Sequence, residues 1–163
     1  MIYICISPHN LKWREELRIV HYVHQEAESY GIVLENGRIV DLPKLAKIQK
    51  KNIPSTIDGL VSQGSATENL VKSLLDSVSK SQNKKYILEK NVIKLKAPII
   101  SPSKIICLGL NYKDHAKEAK AQLPDEPIIF IKPRTAIIGH EDPVRKPCFV
   151  QKLDYEVELA VII

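Results

Sequence analysis

Residues 17–42 read LRIVHYVHQEAESYGIVLENGRIVDL, and the folding of this stretch decides the architecture of the first half of the chain. Two alternating apolar runs flank Asn36-Gly37. That dipeptide favours the left-handed backbone of a type I′ turn, so the segment predicts a small antiparallel sheet. Asp41 is placed to cap a helix with Pro43 in its first turn, running through Leu45 and Ile48 to the break at Lys50-Lys51-Asn52. A short helix is expected around Ile57 to Val61. After Gly64, Ser65-Ala-Thr-Glu68 has capping-box spacing, and Leu70, Leu74, Leu75 and Val78 form a one-sided apolar stripe. Residues 1–96 therefore read as a small N-terminal α+β domain.

Composition bounds what such a chain does. With 163 residues and 44% hydrophobic content, it has material for one core, or one core plus a small satellite. The formal net charge is +5, but the basic residues are scattered, with short pairs such as Lys50-Lys51 and Lys84-Lys85. A solvated lysine-rich surface is expected, with no nucleic-acid partner. Cys5, Cys107 and Cys148 form no CxxC pair and read as reduced core thiols of a cytoplasmic protein. The apolar start IYICIS is short and lacks a basic leader, which suits a strand better than a secretory signal. No stretch is long and apolar enough to span a bilayer, so no membrane partner is expected.

The character of the sequence changes near Lys96. Seven of the ten prolines fall between Pro98 and Pro147, which excludes long helices there. Strands are predicted at 104–108, 128–132 and 153–163, with a helical turn opening at Asp114. The last run, VELAVII, carries no turn residue or cap. A strand so apolar needs partners on both sides, and the sequence reads as cut off there, the alternative being a terminal strand tucked against the N-terminal unit.

Three groups of residues could carry chemistry. In LDYEVELAVII, 153–163, strand alternation puts Tyr155, Val157, Leu159 and Val161 on one face and Asp154, Glu156 and Glu158 on the other. Two carboxylates ~6 Å apart at an effective dielectric of ~20 repel by roughly 3 kcal/mol. Bulk water, a shared proton, a basic neighbour or a bound cation could each offset this. Oxygen-only ligation of that kind suits a hard cation, not zinc. In NYKDHAKEA, 111–119, His115 and Glu118 are three apart, so one helical turn puts them on the same face, where a carboxylate can orient an imidazole. A surface histidine beside an ordinary carboxylate fits the same spacing. In PIIFIKP, 127–133, Lys132 closes a strand expected to be buried, where it could anchor a substrate carboxylate or snorkel from the strand end. His21 and His24 fall on opposite faces of their strand, and His140-Glu141-Asp142 reads as a polar turn.

In order and at appropriate spacing, residues 104–161 contain GLNYxDHxxE, PxxFxKPxTA and DYEVELA. This stretch closely resembles the opening of the catalytic domain in the fumarylacetoacetate hydrolase family, and the ENGRIVDL hairpin is similar to the family's small leading domain. The resemblance implies an α+β, β-rich chain, with domain 1–96 followed by 97–163 as the first portion of a rolled, barrel-like catalytic domain. It implies a divalent metal, Mg²⁺ or Mn²⁺ with Ca²⁺ possible on the oxygen donors, held in part by Glu156 and Glu158. His115 and Glu118 match the catalytic pair, and Lys132 matches the FxKP lysine. The implied substrate is a small 2-oxo or 1,3-dicarbonyl acid. The chemistry would be C–C hydrolysis, isomerisation, dehydration or decarboxylation through an enolate. The implied assembly is a homo-oligomer such as a dimer, or a chain that needs a missing C-terminal portion. A remnant that only folds or oligomerises, and a basic binding module, are the alternatives.

Overall fold

The computed structural model describes residues 4–6, 17–78, 84–118, 120–155 and 157–163. The fold is α+β with antiparallel sheets, and the described residues do not close a barrel. The chain divides into two compact units, one formed by the described residues of Met1–Ile99 with Ile138–Ile163, the other by Ile100–Ile137.

The first unit is built on β2 (Leu17–His24) and β3 (Ala27–Val33), paired from Ile19↔Ile32 to His24↔Ala27. β1 (Ile4–Ile6) pairs with the start of β2, while β4 (Ile39–Asp41) extends the sheet beyond β3. β5 (Ile87–Leu88) pairs with β4, and β6 (Lys94–Leu95) pairs with Tyr22 and Val23 of β2. The predicted sheet is present, but its turns differ from the expectation. Gln25 and Glu26, between β2 and β3, both take positive φ, 50° and 62°, as a type I′ turn requires. At Asn36-Gly37 only Gly37 does so, at 79°, with its N–H donating to Leu34 O at 2.9 Å. That is a type I turn closed by a glycine bulge, which absorbs the longer 34–38 connection.

Both faces of this sheet are covered at its centre. Ile19, Tyr30, Ile32 and Val40 share one face and pack with Leu42, Leu45, Ile57, Leu60, Val71, Leu74 and Tyr86. Val20, Tyr22, Ile39 and Leu88 share the other, supported by Val33, Ile93 and Leu95. Burying each large aliphatic side chain contributes about 1.5–3 kcal/mol, so the first unit holds most of the chain's apolar driving force. Gly31 lies where the strands approach most closely, since a Cβ there would sit 2.3 Å from Val40 O.

Three helices cover the first face. α1 (Leu42–Ile48) starts as predicted, with Asp41 accepting from the Lys44 backbone N–H at 2.8 Å and Pro43 in its first turn. It ends where Lys50 takes φ 55°, with Lys50 N–H donating to Lys47 O and Lys51 N–H to Ala46 O, a Schellman pattern built without glycine. α2 (Ile57–Val61) is capped by Thr56. α3 (Ser65–Leu75) does not use the expected capping box: its cap is Gly64, at φ 58°, with no side-chain bond. Because the helix already includes Ser65, the box is out of register by one residue. Thr67, fully buried, instead donates its hydroxyl to Leu60 O of α2.

The second unit is a two-stranded ribbon, β7 (Ile105–Gly109) against β8 (Ile128–Lys132), joined through α4 (Lys113–Glu118). These elements fall where the sequence predicts them. The burial does not, since every residue of β8 is exposed. Two of the expected core thiols are not buried either: Cys148 is exposed, and Cys107, in β7, is half-buried. A ribbon has two faces and two edges, and no described element of its own unit packs over β8. The predicted strand at 153–163 is also not formed among the described residues, all of which are exposed there. An apolar strand is stabilised by paired neighbours, and no described strand pairs with it.

Candidate active-site residues

β7 delivers the chain to the first candidate pair. Its last residue, Gly109, is followed by Leu110 at φ 51°, a left-handed conformation uncommon for a branched side chain. The chain then turns into α4, whose first bond runs from Ala116 N–H to Tyr112 O at 3.1 Å. The helix begins at Lys113, one residue before the predicted opening, so Asp114 lies inside its first turn. A second Schellman pattern closes it: Lys120, at φ 51°, donates to Lys117 O, and Ala121 N–H donates to Ala116 O at 2.9 Å. Ala116 is the residue of α4 that is buried.

His115 and Glu118 thus sit on one helical turn at the expected spacing, and both are exposed. Neither a hydrogen bond nor an ion pair joins them. The pairing on this helix is instead Asp114 Oδ1 with Lys117 Nζ at 3.6 Å. Lys132 ends β8 opposite Ile105, its ammonium 5.9 Å from the Phe130 ring centroid. That is within reach of a cation–π attraction.

Of the acidic doublet, Glu156 lies outside the described residues. Glu158 is exposed, as are Val157 at 85% and Leu159 at 82%, so neither side of the alternation is turned inward. Asp154 Oδ1 accepts from the Tyr155 backbone N–H at 2.8 Å. Carboxylates are the right donors for a hard dication, which takes six or more oxygens. The described residues nowhere gather three acidic, histidine or cysteine donors.

Other polar residues have structural work. His21, 5% exposed, is within hydrogen-bonding distance of Ala97 O through Nδ1 at 3.0 Å, and its backbone carbonyl accepts from Lys96 N–H. Asp142, which the sequence presents as one member of a polar turn, anchors that turn. Its Oδ1 is 2.7 Å from Lys94 Nζ, and its Oδ2 accepts from Gly139 N–H at 2.8 Å. The Lys94 ammonium and the Gly139 N–H hold the Asp142 carboxyl below its usual range, while Asp142 raises Lys94. Gly139, three residues earlier, is the one signal of this in the sequence, because a Cβ there would press on Asp142 Oδ2 and the β6 backbone.

A family comparison gives the exposed motifs their context. Residues 104–163 match the profile described as fumarylacetoacetate (FAA) hydrolase C-terminal. This segment is similar to the C-terminal domain of the fumarylacetoacetate hydrolase family. The chain is 37% identical over 150 residues to the mitochondrial oxaloacetate tautomerase fahd2 of Xenopus laevis, the match covering 90% of this chain and 44% of that protein. It is 39% identical over 150 residues to the fumarylacetoacetate hydrolase domain-containing protein 2 homolog of Dictyostelium discoideum, covering 90% and 46%. It is 34% identical over 141 residues to the oxaloacetate tautomerase YisK of Bacillus subtilis, covering 82% and 47%. The chain therefore spans less than half the length of these family relatives. Among the described residues, no helix is long and apolar enough to cross a membrane.

Proposed function

We propose that this chain carries the leading part of a metal-dependent enzyme of the fumarylacetoacetate hydrolase family, acting on a small 2-oxo or 1,3-dicarbonyl acid in the cytoplasm. The observation that carries the reading is the ordered set of three motifs inside the matched segment. Two of the relatives described above are named oxaloacetate tautomerases, which favours keto–enol isomerisation over C–C hydrolysis, dehydration or decarboxylation. All four pass through an enolate, so one template serves them.

In this reading, residues 1–96 form a leading domain and 97–163 the first portion of the catalytic domain, working as a homodimer. Glu156 and Glu158 are donors to Mg²⁺ or Mn²⁺, with Ca²⁺ compatible with the same oxygens. The bound dication would supply Lewis-acid stabilisation of charge growing on the substrate oxygen. His115 moves the proton between carbon and oxygen, Glu118 orients its imidazole, and Lys132 pairs with the substrate carboxylate. The test is the decay of enol-oxaloacetate absorbance in Mn²⁺ buffer. Decay above the metal-only rate is expected, with His115→Asn slower by about 10²–10⁴-fold. A wild-type rate equal to the metal-only rate removes this reading.

One observation favours a second reading, a chain that folds without chemistry of its own. His115 and Glu118 are exposed and unjoined, and the described residues, which do not include Glu156, nowhere gather three metal donors. That reading predicts no enol decay and equal behaviour of wild type and His115→Asn.

A further inference from the structure

The turn between β3 and β4 carries a reactive pair that the sheet itself does not require. Asn36 and Gly37 are both exposed there, and nothing lies within 4 Å of where a Gly37 Cβ would stand. Of the chain's seven asparagines, Asn36 alone precedes glycine. The others precede Leu, Ile, Lys, Val or Tyr, whose side chains crowd the following backbone nitrogen as glycine cannot. In the folded turn both reacting groups are engaged. The Gly37 N–H donates to Leu34 O at 2.9 Å, and Asn36 Oδ1 accepts from the Arg38 N–H at 3.1 Å.

We propose that Asn36 is a site of spontaneous deamidation, gated by opening of this turn and irreversible once it has occurred. Local opening of an exposed turn costs far less than global unfolding, and it frees the Gly37 nitrogen. That nitrogen gives its proton to hydroxide and attacks Asn36 Cγ. The new N–Cγ bond closes a cyclic imide while the Cγ–Nδ2 bond breaks. The departing amide takes a proton from water and leaves as ammonia, which restores the hydroxide. Water then opens the ring at either carbonyl. Attack at Cγ leaves an ordinary aspartyl peptide, whereas attack at the backbone carbonyl reroutes the chain through the side chain as an isoaspartyl linkage. The two products differ in consequence. The aspartyl form keeps an oxygen for the Arg38 N–H. The isoaspartyl form adds a backbone carbon inside the loop that the Leu34 N–H closes on Arg38 O at 2.8 Å, so the glycine-bulge register is lost.

The experiment is peptide mapping by mass spectrometry of the 163-residue chain after incubation in mildly alkaline buffer, folded and, in parallel, in concentrated urea. The folded chain is expected to show the mass change of amide to acid at Asn36 before any other asparagine. Urea should speed that conversion about 10–30-fold, the effect of removing the two turn hydrogen bonds. Asn36→Asp should unfold close to the wild-type urea midpoint, and the isoaspartyl fraction, separated by chromatography, at a lower one. The proposal is overturned if another asparagine of the folded chain converts as fast as Asn36, or if Asn36 converts in urea and never in the folded chain. An equal rate with and without urea overturns the gating, and an isoaspartyl fraction with the wild-type midpoint overturns the loss of register.

Discussion

Asp41 and Lys44 are joined twice: the Lys44 backbone N–H donates to Asp41 Oδ1 at 2.8 Å, and the Lys44 ammonium stands 3.5 Å from Oδ2. The carboxylate is 1% exposed and sits where β4 passes directly into α1. One side chain therefore ends a strand and starts a helix. Asp41→Ala should cost about 1–2 kcal/mol by loss of the cap, measured by urea unfolding. Asp41→Asn keeps the accepting oxygen and should cost less than half as much. Equal losses for the two would show that the charge, and not the cap, is what matters.

Tyr22 and Tyr30 are buried, and burial, followed by the Asp41 carboxylate, pushes both phenols well above their usual range. Tyr22 Oη and Asp41 Oδ2 find no partner at hydrogen-bonding geometry, yet the Asp41 charge still reaches both rings. The unfolded chain releases these protons near pH 10 while the folded chain keeps them. The associated stability is complete below about pH 10 and declines above it, by about 1.4 kcal/mol per pH unit for each phenol. Tyr22→Phe should flatten the decline between pH 10 and 11.5 by one proton's worth. An unchanged slope would mean that Tyr22 ionises in the folded protein.

Gly31 is opposed by the Val40 backbone carbonyl, 2.3 Å from where a Cβ would stand. Backbone cannot swing aside as a side-chain tip can. Gly31→Ala is expected to destabilise the protein by at least ~2 kcal/mol, read as a lowered urea midpoint. Gly37→Ala, with nothing within 4 Å of its Cβ but φ at 79°, should cost only the backbone strain, about 1 kcal/mol.

The uneven distribution of burial predicts uneven sensitivity. Leu60 is fully buried, whereas Ile131 is 75% exposed on the ribbon. Leu60→Ala should cost about 2–5 kcal/mol, and Ile131→Ala should stay within about 0.5 kcal/mol. A large loss at Ile131 in unfolding experiments would mean that the ribbon is covered in solution.

What the sequence discloses follows from the range of the forces involved. The Asp41 cap, α2, and the positions of β7, α4 and β8 depend on neighbours a few residues away, so local chemistry reveals them. The turn at Gln25-Glu26 is hidden because the pairing of β2 with β3 imposes left-handed backbone on residues that do not advertise it. The α3 cap is misread because two acceptable starts, Gly64 and Ser65, stand side by side. Burial of β8 depends on what covers it, and local alternation carries no information about that. His115 with Glu118 is legible as a spacing and Glu156 with Glu158 as a doublet. Whether they meet a metal depends on donors that neither motif contains.

The most direct test of the functional account is a calorimetric titration of Mn²⁺ into the chain, repeated with Glu156→Gln, Glu158→Gln and, as a control, Glu141→Gln in the exposed turn. Saturable binding to wild type and the control, abolished in both doublet variants, is the predicted result. The same heats in all four proteins, or none in the wild type, would contradict the assignment of this acidic pair to a metal.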